Sequence, residues 1–170
     1  MILPYSDNLN IGFLSRVLDR KRITNCYKYF WMLAILDEVS LEKTSFTYNQ
    51  LLNGMIKNAW YMVTEFNLTL GPCNVTDNLE EVVKYIASEY NIPATAKERD
   101  ILNFLENSDD KTIIKYKRDL TRNVPYRLQS PFYSDIKDLG ENKINDINQQ
   151  KHLLYYFKEF NKLKTVVEIN

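Results

Sequence analysis

The feature that most restricts how this chain can fold is the stretch Thr24–Val39, TNCYKYFWMLAILDEV. From Tyr29 to Leu36 every side chain is apolar or aromatic, so the run marks no solvent face. A helix that is apolar all round must be buried on all sides. The expectation is a compact, mainly α multi-helix bundle packed around this segment as its central buried helix.

Flanking patterns supply the companions. Residues 8–19 place Leu9, Phe13, Leu14, Val17 and Leu18 on one side of a helix, and Thr24 offers an N-cap for the central one. Phe46–Phe66 carries Leu51, Leu52, Met55, Ile56, Ala59, Trp60 and Val63 at three-and-four spacing, with Thr47 or Ser45 as cap. Gly71-Pro72 turns the chain. Asp77 with Glu80 opens a helix through Tyr90, and Thr95 with Glu98 repeats that signal for a helix bearing Ile101, Leu102 and Leu105. Ser108 caps a helix from Lys111 to about Arg122, with Asp109 and Asp110 at its positive end.

Pro125 and Pro131 predict an extended, proline-bounded loop over 123–132. A last helix is expected over about Ile144–Leu163, and the weak alternation of Thr165–Ile169 suggests a short C-terminal strand. At 170 residues with 45% hydrophobic content, residues 1–170 are one domain with a real core.

Charge is balanced in total and uneven along the chain. Residues 1–36 hold 5 basic and 2 acidic side chains, 37–110 hold 5 and 13, and 111–170 hold 12 and 7. This basic–acidic–basic order can create a dipolar surface. Cys26 and Cys73 are too few for a disulfide framework and lack metal spacing. The start MILPYSDN has no signal-peptide pattern, and an eight-residue apolar run falls far short of the about 20 residues a membrane span needs. A reducing, cytoplasmic setting with no membrane partner is the expectation.

No catalytic constellation is visible, and neither a metal nor a cofactor is expected. His152 is the only histidine, and nothing in its spacing couples it to Cys26 or Cys73. The pairs Asp37/Glu38, Glu80/Glu81 and Asp109/Asp110 are adjacent on helices, where neighbouring side chains diverge. Trp31 and Trp60 fall at core spacing. The informative group is basic. Lys111, Lys115, Arg118 and Arg122 recur at four, three and four residues and form one helical stripe, with Lys117, Tyr126 and Arg127 nearby and the knuckle Arg20-Lys21-Arg22 as a second patch. One-sided charge of this kind neutralises phosphates, and an aromatic beside an arginine adds stacking. The competing explanation is a solvated face balanced by the acidic middle of the chain or by a partner.

Three stretches, TNCYKYFWMLAILDEV, MIKNAWYMV and LTRNVPYRLQSPF, resemble the N-terminal region of bacterial HNH endonuclease domain proteins over roughly residues 8–160. The resemblance implies a helical module that precedes a nuclease domain and serves DNA recognition or domain docking in restriction or defence. No catalytic residue carries over, because one histidine cannot supply an HNH centre. On this reading the chain is a fragment of a longer two-domain protein, a truncated member, or a freestanding module whose parent is an HNH endonuclease. Its partner is DNA, or a nuclease domain or other protein. The alternatives are a protein–protein or homo-oligomerisation module with no nucleic-acid role, and an inhibitor acting through the acidic middle.

Overall fold

The computed structural model describes residues 11–17, 26–72, 75, 77–122, 124–133, 140–150, 153–159 and 161–169. Leu9, Leu18, Arg20, Lys21, Arg22, Thr24, Cys73, His152 and Phe160 lie outside the described residues, as do the side chains of Phe13 and Leu14. The fold is mainly helical. In order come α1 (Ile11–Val17), α2 (Tyr27–Val39), β1 (Ser45–Thr47), α3 (Tyr48–Thr64), α4 (Asn78–Glu89), α5 (Glu98–Asn107), α6 (Lys111–Thr121), α7 (Val124–Leu128), α8 (Ile144–Asn148), β2 (Tyr156–Lys158) and β3 (Val166–Glu168).

A central buried helix is present, but it is α3. Tyr48, Leu51, Leu52, Met55, Ile56, Ala59, Trp60 and Val63 are all buried, because α2, α4, α5 and α6 pack around this one helix. Thr47 starts it with a full capping box: the Thr47 hydroxyl accepts from Gln50 N, and the Gln50 side chain accepts from Thr47 N. One polar side chain, Asn53, is buried within α3 with no hydrogen-bond partner among the described residues for either amide atom.

The apolar helix α2 is a flank. It buries Phe30, Trp31, Ala34 and Ile35, whereas Leu33 and Leu36 are 40% and 50% exposed. Its neighbours α3 and α7 cover only its inner half, so the expectation of burial on all sides does not hold. Contacts between α2 and α3 advance together: Trp31 stacks edge-on against Tyr48, Ala34 meets Gly54, and Asp37 reaches Lys57 and Asn58. The two helices therefore cross in the same sense. Close approach needs glycine at position 54, since a Cβ there would stand 2.9 Å from the Ala34 Cβ.

Three other expectations are corrected. The span 124–132 is not extended: Pro125 sits in the first turn of α7, where a missing N–H costs nothing, and Pro131 opens a 3₁₀ turn at Ser130–Phe132. The start signals at Thr95 and Ser108 shift by two residues, to Lys97 without a side-chain bond and to Asp110 with two. The last helix ends at Asn148. Beyond it Tyr155 and Phe157 point inward and alternate with Tyr156 and Lys158, a period of two that belongs to strand. Backbone partners hold it extended. The Asn148 amide bonds both N and O of Phe157, and the Gln129 amide bonds Leu154 N, Tyr155 N and Tyr155 O.

The expected C-terminal strand is β3. It is the middle of a three-stranded antiparallel sheet, order β1-β3-β2, with Phe46 and Phe157 both opposite Val167. This sheet clips Tyr156–Lys158 and Val166–Glu168 to the start of α3, where Tyr48 N donates to Thr165 O at 2.8 Å.

Candidate nucleic-acid interface

Helix α6 carries the charged face, and its ends are fixed locally. The Asp110 carboxylate accepts from Thr112 N and Ile113 N and also from the Tyr85 and Tyr90 hydroxyls. These bonds, with that to Ile113 N the strongest influence, hold the Asp110 carboxyl below its ordinary pKa. On the inner side Ile113, Lys117 and Leu120 are buried; on the outer side Lys111, Lys115, Arg118 and Arg122 are all exposed. The one-sided stripe is thus a physical face. Arg122 pairs with Asp119 at 2.9 Å and remains 76% exposed, while among the described residues no carboxylate pairs with Arg118. Arg127 is exposed on α7, next in the chain.

Two of the expected contact residues are elsewhere. Lys117 is only 3% exposed, four residues after Ile113 and three before Leu120, and that apolar spacing was the signal against counting it with the others. Its ammonium donates to Asn49 Oδ1 at 3.0 Å and Leu105 O at 3.5 Å, and burial without a carboxylate pushes its pKa down to about 8. Tyr126 is also 3% exposed; the helical turn of α7 directs it inward against Phe157, so it is no stacking platform on the surface. Arg20, Lys21 and Arg22 lie outside the described residues.

Where α6 ends, the surface opens into a cleft of ≈ 380 Å³. Arg118, Arg122, Lys162 and Glu141 line it together with Tyr48 and Tyr126, whose hydroxyls are 3.4 Å apart. Thr121 and Thr165 complete the wall. Burial, then the neighbouring Tyr126, and further out the Glu141 charge, push the Tyr48 phenol far above its ordinary pKa. Burial also raises the Tyr126 phenol above its ordinary pKa, so both phenols stay neutral donors. Lys162, Glu141 and Tyr48 were not legible as site residues, because only the pairing of β3 with β1 brings the segments of Tyr48 and Lys162 together and Glu141 comes from a third, separate turn.

Among the described residues no group of three or more histidine, cysteine or acidic side chains could hold a metal ion. Among them too, no helix is long and apolar enough to cross a membrane. A comparison with known protein families, characterised proteins and solved structures finds no match to this chain.

Proposed function

We propose that this chain is a non-catalytic helical module that contacts nucleic acid through the outer face of α6. The observation that carries the reading is the exposure of Lys111, Lys115, Arg118 and Arg122 on one side of a helix whose other side is buried. The row extends about 16 Å at 1.5 Å per residue, enough to reach several successive phosphates, and Arg127 prolongs it. The resemblance of residues 8–160 to the N-terminal region of HNH endonuclease domain proteins suggests DNA as the polymer, in a restriction or defence setting beside a nuclease domain.

Fluorescence anisotropy with a labelled duplex, repeated over a series of salt concentrations, tests this. Binding should weaken linearly on a log–log salt plot, and Lys115→Glu, Arg118→Glu and Arg122→Glu combined should abolish it. Absent binding, or binding unchanged in the triple variant, rejects the reading.

A second reading, an interaction module for protein partners or for copies of itself, is favoured by the outer face of α2. Leu33, Leu36 and Val39 are exposed there, as are Leu41 just beyond it and Tyr61 and Phe66, stacked edge-on at 5.2 Å, near the end of α3. Light scattering across concentration and salt separates the readings: a monomer under all conditions removes self-association.

A further inference from the structure

The cleft beside α6 has a charged rim and a closed floor. Arg118 and Arg122 reach it from α6, and exposed Lys162 from a separate turn, while Tyr48, Tyr126 and Thr165 at the other end are buried. Lys162 has φ 49, a left-handed conformation uncommon for a side-chain-bearing residue. Three bonds hold the turn around it: Lys164 N to Asn161 O, Thr165 N to Lys162 O, and Asn161 N to Thr165 Oγ1. Cations from two distant segments thereby share one rim, where among the described residues they outnumber the single carboxylate, Glu141.

The geometry points to this cleft as a binding site for a nucleoside phosphate, with the phosphate between Arg118, Arg122 and Lys162 and the nucleoside reaching toward the Tyr48 and Tyr126 hydroxyls at its floor. Guanidinium groups match phosphate oxygens in pairs. Neutral phenols and the Glu141 carboxylate supply a donor and an acceptor for a base edge or sugar hydroxyl. At ≈ 380 Å³ the space lies in the range of small-ligand pockets and is far too small for a duplex. Because its floor ends on the core, a strand cannot run through it. The unit is either a free mononucleotide or one nucleotide turned out of a strand. This inference rests on the phosphate contacts proposed for α6 and adds a defined end point to them.

The test titrates the full chain separately with AMP, GMP, CMP, UMP and inorganic phosphate by calorimetry, and with a labelled 12-nucleotide single strand by anisotropy. At least one mononucleotide should bind saturably and on the order of tenfold tighter than inorganic phosphate. Lys162→Asn, which suits a positive φ, should weaken that binding on the order of tenfold or more, whereas Arg99→Gln, exposed on α5 and outside the cleft, should leave it unchanged. If Lys162→Asn also weakens the strand, the occupant is an everted nucleotide; if only mononucleotides respond, it is a free one. Glu141→Gln, on an exposed residue, gives a second readout: inorganic phosphate should bind tighter and the preference for nucleotide should shrink. No saturable mononucleotide binding, or inorganic phosphate binding as tightly as every nucleotide, overturns the cleft. Strand binding that is lost in a Lys111→Glu/Lys115→Glu variant while no mononucleotide binds removes the cleft and keeps the α6 interface. The reverse pattern keeps the cleft and removes the interface.

Discussion

The indole N–H of Trp31 donates to the hydroxyl of Tyr155 at 3.1 Å, and that hydroxyl in turn donates to the carbonyl of Pro125. One buried phenol thus ties α2 to α7 across most of the chain. Tyr155→Phe keeps the ring and leaves a buried donor and a buried acceptor unpaired. It should cost about 1–3 kcal/mol in chemical denaturation. Trp31→Ala, which also empties a large core volume, should cost about 3–5 kcal/mol or prevent folding. A loss below about 1 kcal/mol for Trp31→Ala would show that α2 does not contribute to the core as described.

Gly54→Ala should destabilise the protein even though alanine is the better helix former. The added methyl would meet the Ala34 Cβ at 2.9 Å, and forcing α2 away from α3 costs about 1–3 kcal/mol, more than the gain of about 1 kcal/mol in helix propensity. Adding Ala34→Gly should recover part of the loss. A Gly54→Ala protein with a raised melting temperature contradicts the packing.

Lys117→Met should stabilise. The folded protein holds this lysine's pKa at about 8, below its unfolded value, so the folded state binds its proton less tightly. The resulting penalty is fully present below pH 8 and is relieved as the pH rises from about 8 toward 10.5. Wild-type stability should therefore rise relative to Lys117→Met across that window. Near neutrality the variant should be more stable by on the order of 1–3 kcal/mol. Parallel stability–pH curves would show that Lys117 is solvated.

Asn53→Leu should also raise stability, by about 1 kcal/mol or more, because it replaces a buried amide with no partner among the described residues by an apolar group of similar size. Urea midpoints at constant m-value measure it. A loss of stability would place a hydrogen-bonding group against this amide.

Asp110→Ala should cost about 0.5–2 kcal/mol by removing the cap of α6 and the anchor for the Tyr85 and Tyr90 hydroxyls. Since its folded-state pKa is depressed, the carboxylate's contribution is complete above the ordinary range for aspartate. It fades as the pH falls through the folded value. The gap between wild type and variant should close in acid, and a gap independent of pH would argue against the charge.

What could be read from the chain alone follows the range of the interactions involved. Thr47 and Asp77 cap helices through residues two or three positions away, so their signals are local and were legible. The same holds for Lys111, Lys115, Arg118 and Arg122, whose common face is set by helical spacing. Residues 153–158 read as helix because Leu154, Tyr155 and Phe157 fit that pattern too, and only Asn148, Gln129 and β3 hold them extended. The middle position went to the wrong segment for a related reason. Apolar content singled out α2, whereas the number of neighbouring helices, a property of the assembled fold, places α3 at the centre. The cleft is less legible still, since Tyr48 and Lys162 meet only after the sheet has formed and Glu141 joins them from a separate turn.

That sheet also sets a timetable. During translation Ser45–Thr47 leave the ribosome on the order of ten seconds before Val166–Glu168, at ordinary elongation rates. Helices α2 to α6 can gather in that interval, but Phe46 waits for Val167, and the turn bearing Lys162 is placed by the same pairing. A molecule that fits beside Lys162 would therefore recognise only copies in which that pairing has formed, and by mass action it would protect them from reopening.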